Sequence, residues 1–364
     1  MSNVANVVIQ SSNVPADLTD FPLLVDLSDM PASFWSTVAN GGGDIRVFKA
    51  DGTTELAREV VSCDTAAETG ELWVKYAGTL SGSVDTTIQI HADGVKIDYA
   101  VTATYGRNNV WSAYSFVFHG GNLFDSAGNG YDLTAKGAAT SGDSGKVGSA
   151  FTVGNNTGFE TTAGTNSFST TDAVTTQAWV KRTLDNGSNA TNFQEIAVIW
   201  ENAASSDSLS WGVGSKDGLD DVPFAYTDGG NTQGTVDAAK IPVDSTWYME
   251  HVEFDLPNDV ISLTNNGGAA TSVTGYTDNS SGGPVVILGL TRLLEFGIVG
   301  QLDEVRGRVG VLGDSWIATE YNNQSSPGTF YTASAPVATG PDTPINQSFT
   351  NLLTTSVRLT WEQG

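Results

Sequence analysis

The sequence contains a single cysteine, Cys63, among its 364 residues. One thiol cannot form a disulfide within the chain, and alone it cannot build a thiolate metal site. We therefore expect Cys63 to be a small buried hydrophobic residue in a protein that folds without disulfides.

Positive charge is also scarce, with 16 lysines and arginines against 41 aspartates and glutamates and a formal net charge of −25. A field of this sign repels the nucleic-acid backbone and an anionic membrane surface, so nucleic acids are not expected as partners. Charged residues of both signs make up only 16% of the chain, below the roughly 25% of an average globular protein. Glycine is abundant instead, with 41 residues, which favours a strand- and turn-rich fold over a helical enzyme.

Long apolar runs are missing as well. No run approaches the roughly 20 residues of a transmembrane helix, so membrane insertion is not expected. The opening residues, MSNVANVVIQSSNVPADL, lack the basic start and apolar core of a secretory signal peptide. We expect a soluble chain that is not exported by a recognisable signal.

Short alternating segments dominate residues 1–108. In ELWVKY (residues 71–76), Leu72, Val74 and Tyr76 share one face and the intervening residues share the other. Turn signals such as the Asp-Gly pair at residues 51–52 separate such segments at intervals of roughly 10 to 15 residues. This pattern predicts an antiparallel β-sandwich, with one helical turn at residues 30–35.

Residues 109–331 continue the strand pattern, which predicts one large sandwich because such domains often exceed 150 residues. A helix is predicted at residues 315–321, ended by Asn322 and Asn323. Residues 332–344, rich in proline, alanine and threonine, predict an extended linker. The last segment, residues 345–364, is too short to bury a core and is predicted to open a third domain.

These segments resemble known families. Residues 1–108 resemble the DUF2341 module in DFPLLVDLSD and GELWVKYAGTLSGSVDTTIQIHADG. Residues 109–331 resemble the laminin-G-like, concanavalin A-like jelly roll, most specifically where a DEVR strand precedes a WIATEYNNQ helix. Residues 345–364 resemble the first strands of a fibronectin type III domain, with Trp361 where that family buries a tryptophan. The resemblance implies an all-β fold of tandem antiparallel sandwiches, displayed on surfaces and often binding carbohydrates, without catalysis.

Catalytic patterns are missing from the sequence. A retaining β-glucanase needs two carboxylates on one strand face, but Leu256-Pro257-Asn258 follows Glu253 and Asp255 without a further glutamate. The three histidines show no metal-binding spacing, and His119 is expected to make a structural hydrogen bond. No nucleophile elbow or phosphate loop occurs, so the chain is predicted not to be an enzyme.

Calcium is the one cofactor that the resemblance suggests. Lectin-like sandwiches often hold this ion with loop carboxylates and carbonyl oxygens. The candidate ligands are Asp125 and Asn129 in FDSAGNG and Asp303 in LDEV. The alternative is that Asp125 and Asn129 form a turn and that Asp303 caps a turn or pairs with Arg306.

A glycan site needs exposed aromatic rings beside polar loops, because sugars stack their C–H faces on rings. Trp200, Trp211, Tyr226 and Trp247 are candidates, although most strand tryptophans lie in cores. Trp211 is expected to be the most exposed, close to the acidic loop at Asp217, so the predicted glycan site consists of Trp211, Tyr226 and Asp217.

Display domains usually act outside cells, whereas this chain lacks a signal peptide and disulfides. A virion protein reconciles the two, because it assembles in the cytoplasm and leaves by lysis. We predict a bacteriophage structural protein on the capsid or tail that contacts host glycans. Its expected partners are capsid or tail proteins of the same particle, and the chain is expected to form a homo-oligomer. The alternatives are a bacterial extracellular adhesin or carbohydrate-binding protein, and an accessory region of a polysaccharide-degrading enzyme.

Overall fold

The computed structural model describes residues 3–161, 173–184, 194–200, 208–216, 219–227, 241–274, 285–290 and 297–335. In these residues the strands form four sheets, and all named strand pairs are antiparallel. The chain is therefore an all-β protein of stacked antiparallel sandwiches, which confirms the predicted fold class.

The N-terminal sandwich contains seven strands and one short helix: β1 (Asn3–Ile9), β2 (Leu18–Asp26), α1 (Ala32–Trp35), β3 (Arg46–Lys49), β4 (Glu55–Leu56), β5 (Arg58–Asp64), β6 (Thr69–Leu80) and β7 (Thr86–Ala92). A late strand, β22 (Tyr331–Ser334), pairs with β1, so the outer sheet has the order β22-β1-β7-β3-β4. The inner sheet has the order β2-β6-β5. The helical turn expected at residues 30–35 is present as α1.

Alternation explains how these strands pack. Leu72 and Val74 on β6 point into the core between the two sheets, where they meet residues such as Phe21, Ile88 and Ile90. This is the apolar face that the sequence predicts. The opposite face of β6 is buried too, since Trp73 belongs to a separate apolar cluster with Trp111.

The second sandwich follows, with these helices and strands: α2 (Arg107–Val110), β8 (Phe116–Phe118), β9 (Leu133–Lys136), β10 (Thr140–Ser144), β11 (Ser149–Val153), β12 (Gly158–Thr161), β13 (Ala173–Leu184), β14 (Gln194–Trp200), β15 (Ser208–Lys216), β16 (Leu219–Thr227), β17 (Trp247–Asp255), β18 (Val260–Asn265), β19 (Thr271–Thr274), β20 (Val285–Leu288), β21 (Val299–Val309), α3 (Asp314–Ser325) and α4 (Pro327–Phe330). In the described part of the chain, no helix is long and apolar enough to cross a membrane.

Two sheets enclose the core of this sandwich. The larger sheet has the order β10-β11-β21-β13-β17-β18-β19, with β8 also paired to β21, and the smaller has the order β16-β15-β14-β20-β12-β9. Residues such as Phe151, Val180, Phe254 and Leu302 fill the space between them. The outer face of the larger sheet is therefore free to meet the N-terminal sandwich.

Helix α3 joins the two sandwiches. It runs to Ser325, so the expectation that Asn322 and Asn323 end it is wrong. Asn323 instead uses its side-chain amide to bond the edge of β2, accepting from the N–H of Leu24 at 2.7 Å and donating to its carbonyl at 3.0 Å. On the same helix Trp316 packs on Phe21, with ring centroids 5.1 Å apart.

We call the layer between the inner sheet and the larger sheet the seam. It contains Trp73, Trp111 and Val117 together with the buried face of α3. The first residues of the predicted linker, Thr332 to Ser334, belong to β22. Residues 336–344 of the linker and residues 345–364 lie outside the described residues.

Candidate functional site

A buried network of charged side chains fills the centre of the seam. His119 Nδ1 lies 2.7 Å from Glu304 Oε1 and 3.4 Å from Glu71 Oε1, while its Nε2 lies 3.2 Å from Glu59 Oε2. The N-terminal sandwich supplies Glu59 and Glu71, and the second sandwich supplies His119 and Glu304. His119 thus makes the structural contacts expected from the sequence, and these contacts join the two sandwiches.

A β-bulge places the β21 members of this network. Opposite Gln177 and Trp179 of β13, strand β21 has one extra residue between Asp303 and Arg306, and Glu304 adopts a left-handed φ of 49°. The Arg306 guanidinium lies 2.5 Å from Glu304 and over the ring of Trp73, 4.1 Å from its centroid. The bulge therefore brings both charges into the seam.

The network shifts the pKa values of its members. Burial lowers the pKa of His119, but the carboxylates of Glu304 and Glu59 reverse this and raise it well above its usual value. Burial raises the pKa of Glu304, but the charges of His119 and Arg306 overcome this and lower it to about 2. Burial and the charge of Glu304 raise the pKa of Glu71 to about 8.

Ligand atoms of Glu71, His119 and Glu304 lie within 4.8 Å of one another, the spacing of a possible metal site. However, Arg306 and His119 already place positive charge against Glu304. A buried carboxylate paired in this way needs no further cation. We therefore interpret the network as a structural junction.

The three predicted calcium ligands make backbone contacts. Asp125 accepts N–H bonds through Oδ1 from Val117 and Ala127 at 3.1 and 2.9 Å, and through Oδ2 from Asn129 at 2.9 Å. Asp303 Oδ2 accepts from the N–H groups of residues 146 and 147 at 2.8 Å each. Asp125 and Asn129 thus lie together in one loop, whereas Asp303 lies in β21, and calcium binding stays a prediction.

Arg306 forms salt bridges with Glu304 and Glu320. Asp303 caps the backbone at residues 146 and 147 instead. Of the two alternatives for Asp303, the structure therefore shows the turn-capping contact.

The predicted glycan residues do not form an exposed site in the described structure. Trp211 is only 1% exposed and belongs to the core of the second sandwich. This corrects the expectation that its ring is exposed: alternation along β15 turns it inward, and its Ser210 and Gly212 neighbours do not change that. Tyr226 lies on β16, and its side chain and the whole of Asp217 fall outside the described residues.

A different surface brings aromatic rings and hydroxyl groups together. A groove of about 420 Å³ runs between the C-terminal half of α3 and the larger sheet. We call it the α3 groove, and its lining consists of Lys146, Trp179, Ser245, Thr246, Trp247, Tyr321, Ser325 and Ser326. Trp247 and Tyr321 are half-buried, so part of each ring faces the groove.

Strand pairing and helix packing set the geometry of the α3 groove. Lys181 and Trp247 face each other across β13 and β17, and the Lys181 ammonium stands 5.0 Å from the centre of the Trp247 ring. Trp179 donates from Nε1 to Gln324 of α3 at 2.8 Å, and its ring lies 5.9 Å from that of Tyr321. The rings are therefore held by both the sheet and the helix.

A second cavity, of about 390 Å³, lies in the seam beside Glu71. Its lining includes Asp26, Glu71 and Lys146 but no aromatic ring. Stacking against a sugar requires a ring face. The α3 groove is therefore the better candidate for a binding site.

Sequence reasoning identified Trp247 as a candidate but missed its partners. Tyr321 belongs to the predicted helix, and Lys146 follows a glycine-rich turn far away in sequence. The groove forms only when α3 folds back on the outer face of the larger sheet. No local pattern in the sequence signals that contact.

No protein-family model and no curated protein matches this chain. Among solved structures, the chain is similar to domain 4 of AbnA, a GH43 extracellular arabinanase from Geobacillus stearothermophilus, in complex with arabinotriose. That match has a TM-score of 0.45 and 21% identity, and it covers 57% of this chain and 98% of the other. The chain is also similar to the botulinum neurotoxin serotype G binding domain, with a TM-score of 0.42 and 14% identity over 58% of this chain. It spans about half of the toxin domain's own length, 51%.

Proposed function

We propose that this chain is a non-enzymatic virion protein of a bacteriophage, exposed on the capsid or tail, which binds saccharides of the host surface in the α3 groove. The observation that carries the proposal is the pairing of half-buried rings with hydroxyl groups in one groove. Trp247 and Tyr321 supply the rings, and Ser245, Thr246 and Ser326 supply hydroxyls.

Sugars match this combination of groups. A pyranose ring offers an apolar C–H face that stacks on an aromatic ring, and its hydroxyls need hydrogen-bond partners. Binding pockets for such ligands usually measure about 300 to 1,000 Å³. The groove, at about 420 Å³, has room for a short oligosaccharide.

The virion role is supported by composition and by Cys63. Burial raises the pKa of the Cys63 thiol to about 11, which keeps it unreactive. A protein with one inert thiol needs no disulfide, which suits folding in the reducing cytoplasm where phage particles assemble. The net charge of −25 favours solubility on a particle surface.

Saccharide binding is tested with a glycan array, followed by calorimetric titration of the best-bound saccharide. We expect Trp247→Ala and Tyr321→Ala to weaken binding at least about tenfold, equivalent to about 1.4 kcal/mol. Phe124→Ala is the matched control, because Phe124 is 61% exposed and lies outside the groove. Unchanged binding in Trp247→Ala would place the site elsewhere.

The virion role is tested by purifying intact particles and probing them for the chain. We expect it to co-purify at a fixed copy number that matches the symmetry of the capsid or tail. Secretion by a bacterium and absence from particles would favour an adhesin instead. Release of cleaved products from the bound saccharide would contradict the non-enzymatic role.

A further inference from the structure

The charge of the α3 groove is opposite to that of the rest of the chain. The protein has 41 aspartates and glutamates and 16 lysines and arginines. None of the eight residues that line the groove is acidic, and Lys146 is among them. We propose that the groove selects acidic saccharides, whose rings carry carboxylate groups, an inference that rests on the proposed saccharide binding.

Lys146 presents its ammonium group inside the groove. Its Nζ donates to the carbonyl of Ser325 at 2.6 Å and stands 5.4 Å from the centre of the Trp179 ring. An ammonium group has three N–H donors, so this hydrogen bond leaves two for a ligand. A carboxylate bound there gains a charge-assisted hydrogen bond.

Lys181 adds a second ammonium group beside the main aromatic ring. Its Nζ stands 5.0 Å from the centre of the Trp247 ring, on the strand adjacent to β17. A sugar stacked on Trp247 would therefore carry its substituents close to a positive charge. This charge does not strengthen the binding of a neutral sugar, whereas it attracts the carboxylate of a uronic acid.

Two carboxylates beside the groove residues, Asp303 and Asp244, are already engaged. Asp303 is buried behind Lys146 and accepts its backbone N–H at 2.8 Å. Asp244 accepts from the backbone N–H of Thr246 at 2.8 Å and from the hydroxyl of Tyr248 at 2.9 Å. Among the residues that the structure describes, neither Asp303 nor Asp244 forms a salt bridge with Lys146 or Lys181, so a ligand carboxylate would be a fitting counter-charge.

The test compares oligouronates with their carboxyl-reduced counterparts, which keep the same linkages without the charge. Titration calorimetry measures the Kd of each pair for the wild type, Lys146→Gln, Lys181→Gln, Trp247→Ala and the control Lys96→Gln. Lys96 is exposed and lies in the N-terminal half of the chain, away from the groove.

We expect at least one oligouronate to bind about tenfold or more tightly than its reduced counterpart. The Lys146→Gln and Lys181→Gln variants should each lose most of that preference, and Lys96→Gln should keep it. Raising the salt from about 0.05 M to about 0.5 M should weaken only the acidic ligand. Because Lys146 also bonds Ser325, the Lys181 variant provides a second test that does not depend on this contact.

Equal or tighter binding of the reduced saccharides, still lost in Trp247→Ala, would overturn the acid preference and leave the saccharide site standing. Binding of acidic saccharides that persists in Trp247→Ala would also overturn the proposed acid preference of the groove, because the anion site would then lie elsewhere. If no saccharide of either kind binds, both the proposed function and this inference fail.

Discussion

Glu250 is a carboxyl group on the core-facing side of β17. It shares that side with Val252 and Phe254, is fully buried, and has no hydrogen-bond partner among the described residues. Burial raises its pKa well above the usual value. The folded protein therefore holds Glu250 protonated where the unfolded chain would ionise it.

This state makes stability depend on pH. Because folding raises the pKa of Glu250, the contribution of its protonated form to the free energy of unfolding is complete below the pKa of the unfolded chain, near 4.5. This contribution is lost as the pH rises through the pKa of the folded state. We predict that Glu250→Gln removes this loss. The free energy of unfolding of the variant should exceed that of the wild type by a difference that grows by up to about 1.4 kcal/mol for each pH unit above pH 5. Urea titrations at several pH values measure it, and parallel pH profiles would contradict the prediction.

Asp125 organises the loop after β8 through N–H bonds to both carboxylate oxygens. We predict that Asp125→Ala lowers the free energy of unfolding by about 2 to 4 kcal/mol, because several buried N–H groups lose their acceptor. Thermal melts with added calcium and with EDTA separate this role from a metal site. If EDTA lowers the wild-type melting temperature to that of the variant, calcium holds the loop.

At the scale of single elements, α3 acts as a connector between β2 and the larger sheet. Asn323 bonds both backbone groups of Leu24, a buried residue on the edge of β2. We predict that Asn323→Ala destabilises the protein by about 1 to 3 kcal/mol, because it leaves a buried donor and acceptor unpaired. Asn322→Ala, which loses one part-buried bond to Asn13, is the control and should cost less. An equal loss in the two variants, measured by urea unfolding, would contradict this role.

The sequence predicts the individual strands and helices better than it predicts the tertiary contacts between them. Strand β6 and helix α1 follow from alternation and proline position, since these signals are local. The helix predicted at residues 315–321 lies within α3, but Asn322 and Asn323 do not end it, and no side chain caps its start. The two faces of β6 are also readable, but nothing local shows that Trp73 meets Trp111 across the seam. Leu302 and Val305 both face the core of the second sandwich only because of the bulge in β21, since strict alternation would place residues three apart on opposite faces.

The candidate site was harder to predict for the same reason. Trp247 is recognisable as a strand tryptophan, but its exposure depends on which strands flank it. Trp211 has polar neighbours and is nevertheless turned into the core. Sites assembled from distant segments require the tertiary contacts to be known.

For the molecule as a whole, the seam network couples the two sandwiches. Three carboxylates from both sandwiches surround His119 in a buried setting. We predict a single calorimetric unfolding transition for the wild type. His119→Ala should lose about 3 to 5 kcal/mol, because it leaves buried carboxylates without their partner, and should separate the transition into two. Two transitions in the wild type would show that the seam does not couple the sandwiches.

The α3 groove is the surface on which the functional account depends, because it joins rings from the sheet and the helix. The most direct measurement is a crystal structure of the chain with the saccharide selected by the glycan array. We predict a sugar ring stacked on Trp247, with its hydroxyls within hydrogen-bond distance of the groove serines. A saccharide bound in the seam cavity or on another face, with the α3 groove empty, would contradict the account.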